Sequence, residues 1–186
     1  ILILSGDQLY QMDFEEMIRN HEEKGAVAVV APSEARDLNI TKIQVRDASG
    51  ALNNRLEIGK PFSVEVMYQL SQALENVYSG IGFIDLKNSA TILDTLDVDS
   101  NPESYKKREK GMHRSVFHFK ENPFSIGRYK LFVHLGTFPP TPRTLHKVDG
   151  EVSVSFIDSE TFASQTVEGV RNSNILLKVP STVERV

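Results

Sequence analysis

The sequence predicts a mainly β protein: an antiparallel, immunoglobulin-like β-sandwich carrying a short β-α-β appendage at its N-terminal side. Three observations lead there. From residue 37 onward the apolar residues recur with a period of two, as in Phe62, Val64, Val66, Tyr68 and Leu70 set against Ser63, Glu65, Met67 and Gln69. These alternating runs are short and are separated by Gly, Pro, Asn and Asp turns. Residues 1–30 follow another rule, with two continuous apolar runs flanking a stretch of helical period.

Composition bounds the rest. A chain of 186 residues is long enough for one or two small domains with a real core. A net charge of -4 gives no general attraction to nucleic acid and a weak repulsion from an anionic membrane. No apolar run approaches the ~20 residues of a membrane span. The opening residues lack the basic region of a secretory signal, and Asp7 follows them at once. With no Cys there are no disulfides, thiolate metal sites or Cys nucleophiles, which is compatible with the cytosol. With no Trp, a favoured sugar-stacking side chain is missing.

The elements follow in order. Ile1–Leu4 reads as a strand buried on both faces, ended by Ser5-Gly6-Asp7. Phe14, Met17, Ile18 and His21 mark one face of a helix that Asp13 caps, with Glu16 three residues on, and Gly25 ends. Ala26–Val30 is a second strand, expected to lie parallel to the first. Residues 31–37 form a linker, dividing the chain into 1–36 and 37–186. In the larger part Ile40, Ile43 and Val45 lead into the turn Asp47–Gly50. Phe62–Leu70 is the next strand, and Ser79–Leu86 follows with Ile81 and Phe83 on one side. Residues 100–111 form a polar loop or short helix. Arg114–Lys120 and Arg128–Leu135 flank the turn 121–127 and are expected to pair as a hairpin. Val152, Val154 and Phe156 form another strand, and residues 175–179 can form a last one.

Two stretches resemble known families. LILSGDQLYQMDF, followed by a helix and GAVAVV, resembles the GD-x-LY segment of ADP-glucose pyrophosphorylases and related sugar nucleotidyltransferases. That resemblance implies a magnesium-binding role for Asp7, the weak metal candidate of the chain, at the C-terminal end of a strand. It stops near residue 30, and the family's Gly-rich nucleotide loop is missing, so catalysis is not expected. The larger part resembles the C-terminal domain of Wzt-type ATPase subunits of O-antigen polysaccharide ABC transporters. The matching pieces are ITKIQVRDASGAL, LEIGKPFSVEVMYQL, YSGIGFIDL, FSIGRYKLFVHLG and VSVSF. DLKNSATILDTLDVDS departs from the family pattern, and the ATPase motif GxxxxGK[ST] is absent. This resemblance implies a cytoplasmic, non-catalytic module without cofactors that recognises an exported glycan. Its implied partners are a second copy of itself and the ATPase and membrane subunits of a transporter, which would tie it to the inner membrane. The two families do not normally share one protein. Residues 1–36 therefore read as part of a natural fusion, an excised fragment or an artificial junction. The alternatives to glycan binding are a nucleotidyltransferase fragment of the glucose-1-phosphate adenylyltransferase type and a purely structural dimerisation domain.

Strand parity proposes a sugar site. Tyr129, Leu131, Val133 and Leu135, with Phe117 and Phe119, are assigned to the core. A hairpin would then gather Arg114, Val116 and His118 beside Lys130, Phe132 and His134 on the other face. Phe132 would stack on a sugar ring, while Arg114, His118, Lys130 and His134 would donate to hydroxyls. A second layer covering that face would instead make Phe132 ordinary packing. Asp97-Val98-Asp99-Ser100-Asn101 has the start of a calcium loop, but Pro102 and His113 occupy positions that need Gly and Glu, so a solvated acidic loop is expected. The basic run 106–110 reads as a solvated helix face, and no G-x-S-x-G elbow occurs.

Overall fold

The period-two runs become two packed sheets. The computed structural model describes residues 28–29, 38–100, 102–105, 107–139 and 142–157. In chain order the strands are β1 (Ala28–Val29), β2 (Leu38–Arg46), β3 (Arg55–Glu57), β4 (Phe62–Leu70), β5 (Leu74–Glu75) and β6 (Val77–Asp85). They continue with β7 (Thr91–Leu96), β8 (Lys107–Arg108), β9 (Gly111–Phe119), β10 (Gly127–Thr137) and β11 (Arg143–Ile157). One sheet has the order β1-β2-β4-β9, the other β3-β11-β10-β6-β7, and β5-β8 is a separate ribbon. All pairs are antiparallel except β3 with β11. Within the stretch 100–111, expected as a polar loop or short helix, Pro102–Tyr105 is a short 3-10 helix and β8 follows it; a second 3-10 turn, Asp97–Asp99, precedes the stretch.

The facing surfaces are the apolar parities of the sequence. Ile40, Ile43, Val45, Val64, Val66 and Phe117 come from the four-stranded sheet; Ile81, Phe83, Leu131, Val133, Val152 and Val154 come from the five-stranded one. Their interdigitation removes apolar surface from water, the main driving force of the fold. An aromatic cluster fills one end. Phe62 stacks on Phe119 with centroids 4.3 Å apart, and Phe124 stacks on Phe156 at 4.7 Å. Tyr129 hydrogen-bonds through its hydroxyl to the Ser125 carbonyl at 3.2 Å and to the Ser125 hydroxyl at 2.9 Å. This is the arrangement of a tyrosine corner. Burial pushes the Tyr129 phenol pKa up.

The expected hairpin between β9 and β10 does not form. β9 pairs with β4, whereas β10 lies between β6 and β11 in the other sheet. The reason is the turn at 121–127. Phe124 is buried among the core aromatics, so the turn plugs the end of the sandwich and carries the chain across it. Period-two alternation has the same form for strands paired in one sheet and for strands facing each other across a core. Both inward faces are as expected, so the outward faces of β9 and β10 point to opposite sides of the molecule.

A polar cluster ties the sheets at the other end. The Asp97 carboxylate accepts from the Ser79 hydroxyl at 2.7 Å, the Ser79 backbone N–H at 3.1 Å and the Ser115 hydroxyl at 2.9 Å. Arg108 pairs with the same carboxylate at 2.9 Å and donates to the Tyr68 hydroxyl. Burial raises the Tyr68 phenol pKa, and the Arg108 charge partly opposes that rise. Asp97 is thus a structural anchor, not the solvated side chain expected.

Several expectations lie outside the described residues: the strand at 1–4 with Asp7, the helix after Asp13, the linker and the strand at 175–179. Ala28–Val29 is described, and it pairs antiparallel with Ile43 and Lys42 of β2. Among the described residues there is no α-helix, and no helix is long and apolar enough to cross a membrane.

Candidate functional site

The five residues proposed for a sugar patch fall on two separate faces. Arg114 and His118 lie on the outer face of the four-stranded sheet, in register with Met67 and Ser63. There Arg114 forks onto Glu65, with Nε 2.9 Å from Oε1 and Nη2 2.9 Å from Oε2. Arg46 approaches the same carboxylate at 3.8 Å. Glu65 is only 6% exposed, so this ion pairing compensates a desolvated charge. Lys130, Phe132 and His134 lie on the outer face of the five-stranded sheet.

That second face is shaped by two glycines. In β6, Val77, Ser79, Ile81 and Phe83 point inward, so Tyr78, Gly80, Gly82 and Ile84 point outward. Gly82 pairs with Phe132 and Gly80 with His134. The rings lie on bare backbone: a Cβ at Gly82 would stand 2.1 Å from Phe132 Cζ, and one at Gly80 would stand 2.3 Å from His134 Nε2. Phe132 is therefore sunk to 7% exposure, with the Lys147 ammonium 5.3 Å above its ring. It forms floor, not the stacking platform that parity suggested.

Beside this floor lies a cleft of about 510 Å³, lined by Tyr78, Asp94, Leu96, Asp99, His134, Thr137, Phe138, Pro139 and Pro142. His134 Nε2 is 3.0 Å from Asp94 Oδ1. An ionised carboxylate only accepts, so Nε2 carries the proton. Tyr78 meets His134 edge-on at 5.7 Å and Phe138 at 4.8 Å. Burial, and then the Asp94 charge, push the Tyr78 phenol pKa up. The Phe138 loop is fixed by its N–H donating to the Asn76 carbonyl at 2.8 Å. Asp99 accepts from the Leu96 N–H at 2.9 Å and the Thr95 hydroxyl at 3.3 Å through one oxygen, Oδ2.

Half-buried aromatic rings beside carboxylate, imidazole and hydroxyl groups suit a hydroxylated ligand, with rings for its apolar faces and acceptors for its hydroxyls. Among the described residues no group of three His, Cys, Asp or Glu side chains can hold a metal ion. Of the five expected residues only His134 lines this cleft; Tyr78, Asp94 and Phe138 were missed. The available signal was the pair Gly80 and Gly82, since glycines two apart in a strand mark close approach on one face.

Geometry thus defines a β-sandwich with a cleft on one outer sheet face. A solved structure, the C-terminal domain of Wzt, superposes with a TM-score of 0.67 at 14% identity, covering 97% of this chain and 100% of that one. The resemblance expected for the larger part holds at the level of fold. A Niemann-Pick type C2 protein from Japanese carpenter ant gives a TM-score of 0.46 at 11% identity, covering 69% of this chain and 99% of that one, too low to carry an argument. No protein-family model matches the chain, and no curated protein matches its sequence. The nucleotidyltransferase resemblance of residues 1–30 finds no support in these comparisons.

Proposed function

We propose that this chain is a non-catalytic carbohydrate-binding module that holds an O-antigen-type polysaccharide for export by an ABC transporter. The observation that carries the reading is the cleft beside β6 and β10, where Tyr78 and Phe138 offer ring surface next to Asp94 and His134. The fold likeness to the C-terminal domain of Wzt supports the transporter setting. In this reading the module works in the cytoplasm beside the ATPase and membrane subunits, without a cofactor. It acts as a homodimer, which raises weak affinity per site through two linked sites. The outer edge of β9, which no strand occupies among the described residues, suits such pairing.

Titration with O-antigen polysaccharides, followed through backbone amide shifts, tests this. The expected result is saturable shifts at Tyr78, Asp94, His134 and Phe138, abolished by Tyr78→Ala with the dispersed spectrum retained. Shifts confined to Arg114 and His118 would move the site to the four-stranded sheet. A dimer that shows no shift with any glycan would favour the structural dimerisation domain.

A further inference from the structure

We infer that the cleft selects glycans without acidic groups, taking neutral repeat units and excluding uronate- or phosphate-bearing ones; the inference rests on the glycan-binding reading above. The charge pattern of the lining carries it. Two carboxylates, Asp94 and Asp99, enter the lining, and no Lys or Arg does so among the described residues. Lys147, in register with His134, is held over the Phe132 ring.

Among the described residues, each carboxylate is held through one oxygen. Asp94 uses Oδ1 for His134, and Asp99 uses Oδ2 for the Leu96 N–H and the Thr95 hydroxyl. Asp94 Oδ2 and Asp99 Oδ1 are acceptor-only groups beside the apolar walls of Leu96, Phe138 and Pro139. Sugar hydroxyls are donors and satisfy them. A carboxylate or phosphate on the glycan brings no donor and adds like charge beside two solvent-exposed carboxylates, a repulsion that salt screens. The device is discrimination by repulsion, with Asp94 doing double duty in orienting His134.

The test uses one glycan in two charge states. A panel of neutral O-polysaccharides is titrated by calorimetry, and the best binder is then oxidised at its primary hydroxyls to the uronate form. The oxidised polymer should bind about tenfold or more weakly at low salt, with part of the loss recovered at high salt. Asp99→Asn should narrow the gap between the two forms, and Asp94→Asn/Asp99→Asn should narrow it further. Should the double variant not fold, the single variant and the salt dependence still decide. Equal or tighter binding of the oxidised form overturns the selectivity and leaves glycan binding intact. Failure of every neutral and acidic polymer to bind overturns the glycan reading, and the selectivity with it.

Discussion

The ring of Phe132 rests on the backbone of Gly82, so closely that a Cβ there would come within 2.1 Å of Phe132 Cζ and 2.5 Å of the Leu93 carbonyl oxygen. Both neighbours resist displacement, one as a ring packed under Lys147, the other as backbone of β7. Gly82→Ala should therefore lift Phe132 or spread β6 from β7, at a cost of about 1–3 kcal/mol. Urea unfolding reads the loss. A variant within 0.5 kcal/mol of the parent would mean that the floor of the cleft is soft.

Asp97 and Arg108 make the second prediction. Arg108 is buried, and its guanidinium meets Asp97 at 2.9 Å while Tyr68 lies beneath it. Removing the carboxylate strands a cation and releases Ser79 and Ser115 at once. Asp97→Ala should cost about 3 kcal/mol, the lower end for a broken buried pair because Asp97 retains some exposure. Arg108→Met in that background removes the stranded charge. The double variant should then be more stable than the sum of the single losses by at least about 1 kcal/mol. Additive losses in the cycle would show that the two side chains act independently.

Much of this frame was legible in the residues. The inward rows of β4, β6 and β10 follow from parity alone, because a half-buried strand hides every second side chain. Pairing was not legible. Phe117 and Leu131 face the same core, and alternation does not record whether two inward rows lie side by side or face to face. Strand β7 was missed because Thr91–Leu96 has no clean alternation: it is an edge strand with no fully buried side chain. The cleft joins Tyr78, Asp94 and His134 from three neighbouring strands, so it appears only once the order β10-β6-β7 is known. The pair Gly80 and Gly82 announced a close approach without naming what approaches.

The Asp47 turn gives a pH prediction. Asp47 accepts from the Ser49 hydroxyl at 2.6 Å and from the Asn53 amide at 3.0 Å, and Gly50 turns the chain at φ +83°. Those hydrogen bonds, that from Ser49 first, hold the carboxyl below its ordinary value of 3.8. A depressed folded-state pKa contributes stability above the unfolded value and loses it as pH falls through the folded one. The protection factors of the Ser49 and Ala51 amides, taken relative to intrinsic exchange at each pH, should be steady above pH ~5 and fall as pH drops below the ordinary carboxyl value of 3.8 and Asp47 takes up its proton. Asp47→Asn should flatten that acid-side change; an unchanged profile in the variant would assign it to another group.

Asn122 is 1% exposed and holds the crossing from β9 to β10 in place. Its side-chain amide donates to the Glu57 carbonyl at 3.1 Å, and its side-chain oxygen accepts from the Phe124 N–H at 3.2 Å. Its backbone N–H donates to Lys60 at 2.9 Å, and its backbone carbonyl accepts from Gly59 at 2.8 Å. The side chain thus clasps the turn before β4 to the residue that seats Phe124 in the core. Asn122→Ala leaves two backbone groups without these partners and should cost about 2 kcal/mol. Asn122→Asp keeps the acceptor for Phe124 but points a carboxylate at the Glu57 carbonyl, replacing a donor with a charge that burial penalises. The aspartate variant should therefore be the less stable of the two at pH 7 and regain stability toward pH 5, as its raised pKa lets it take up a proton and donate again. The alanine variant has no such dependence. Parallel urea curves at both pH values decide: a pH-independent aspartate variant would mean that the clasp is open to water and that packing of Phe124 alone holds the crossing.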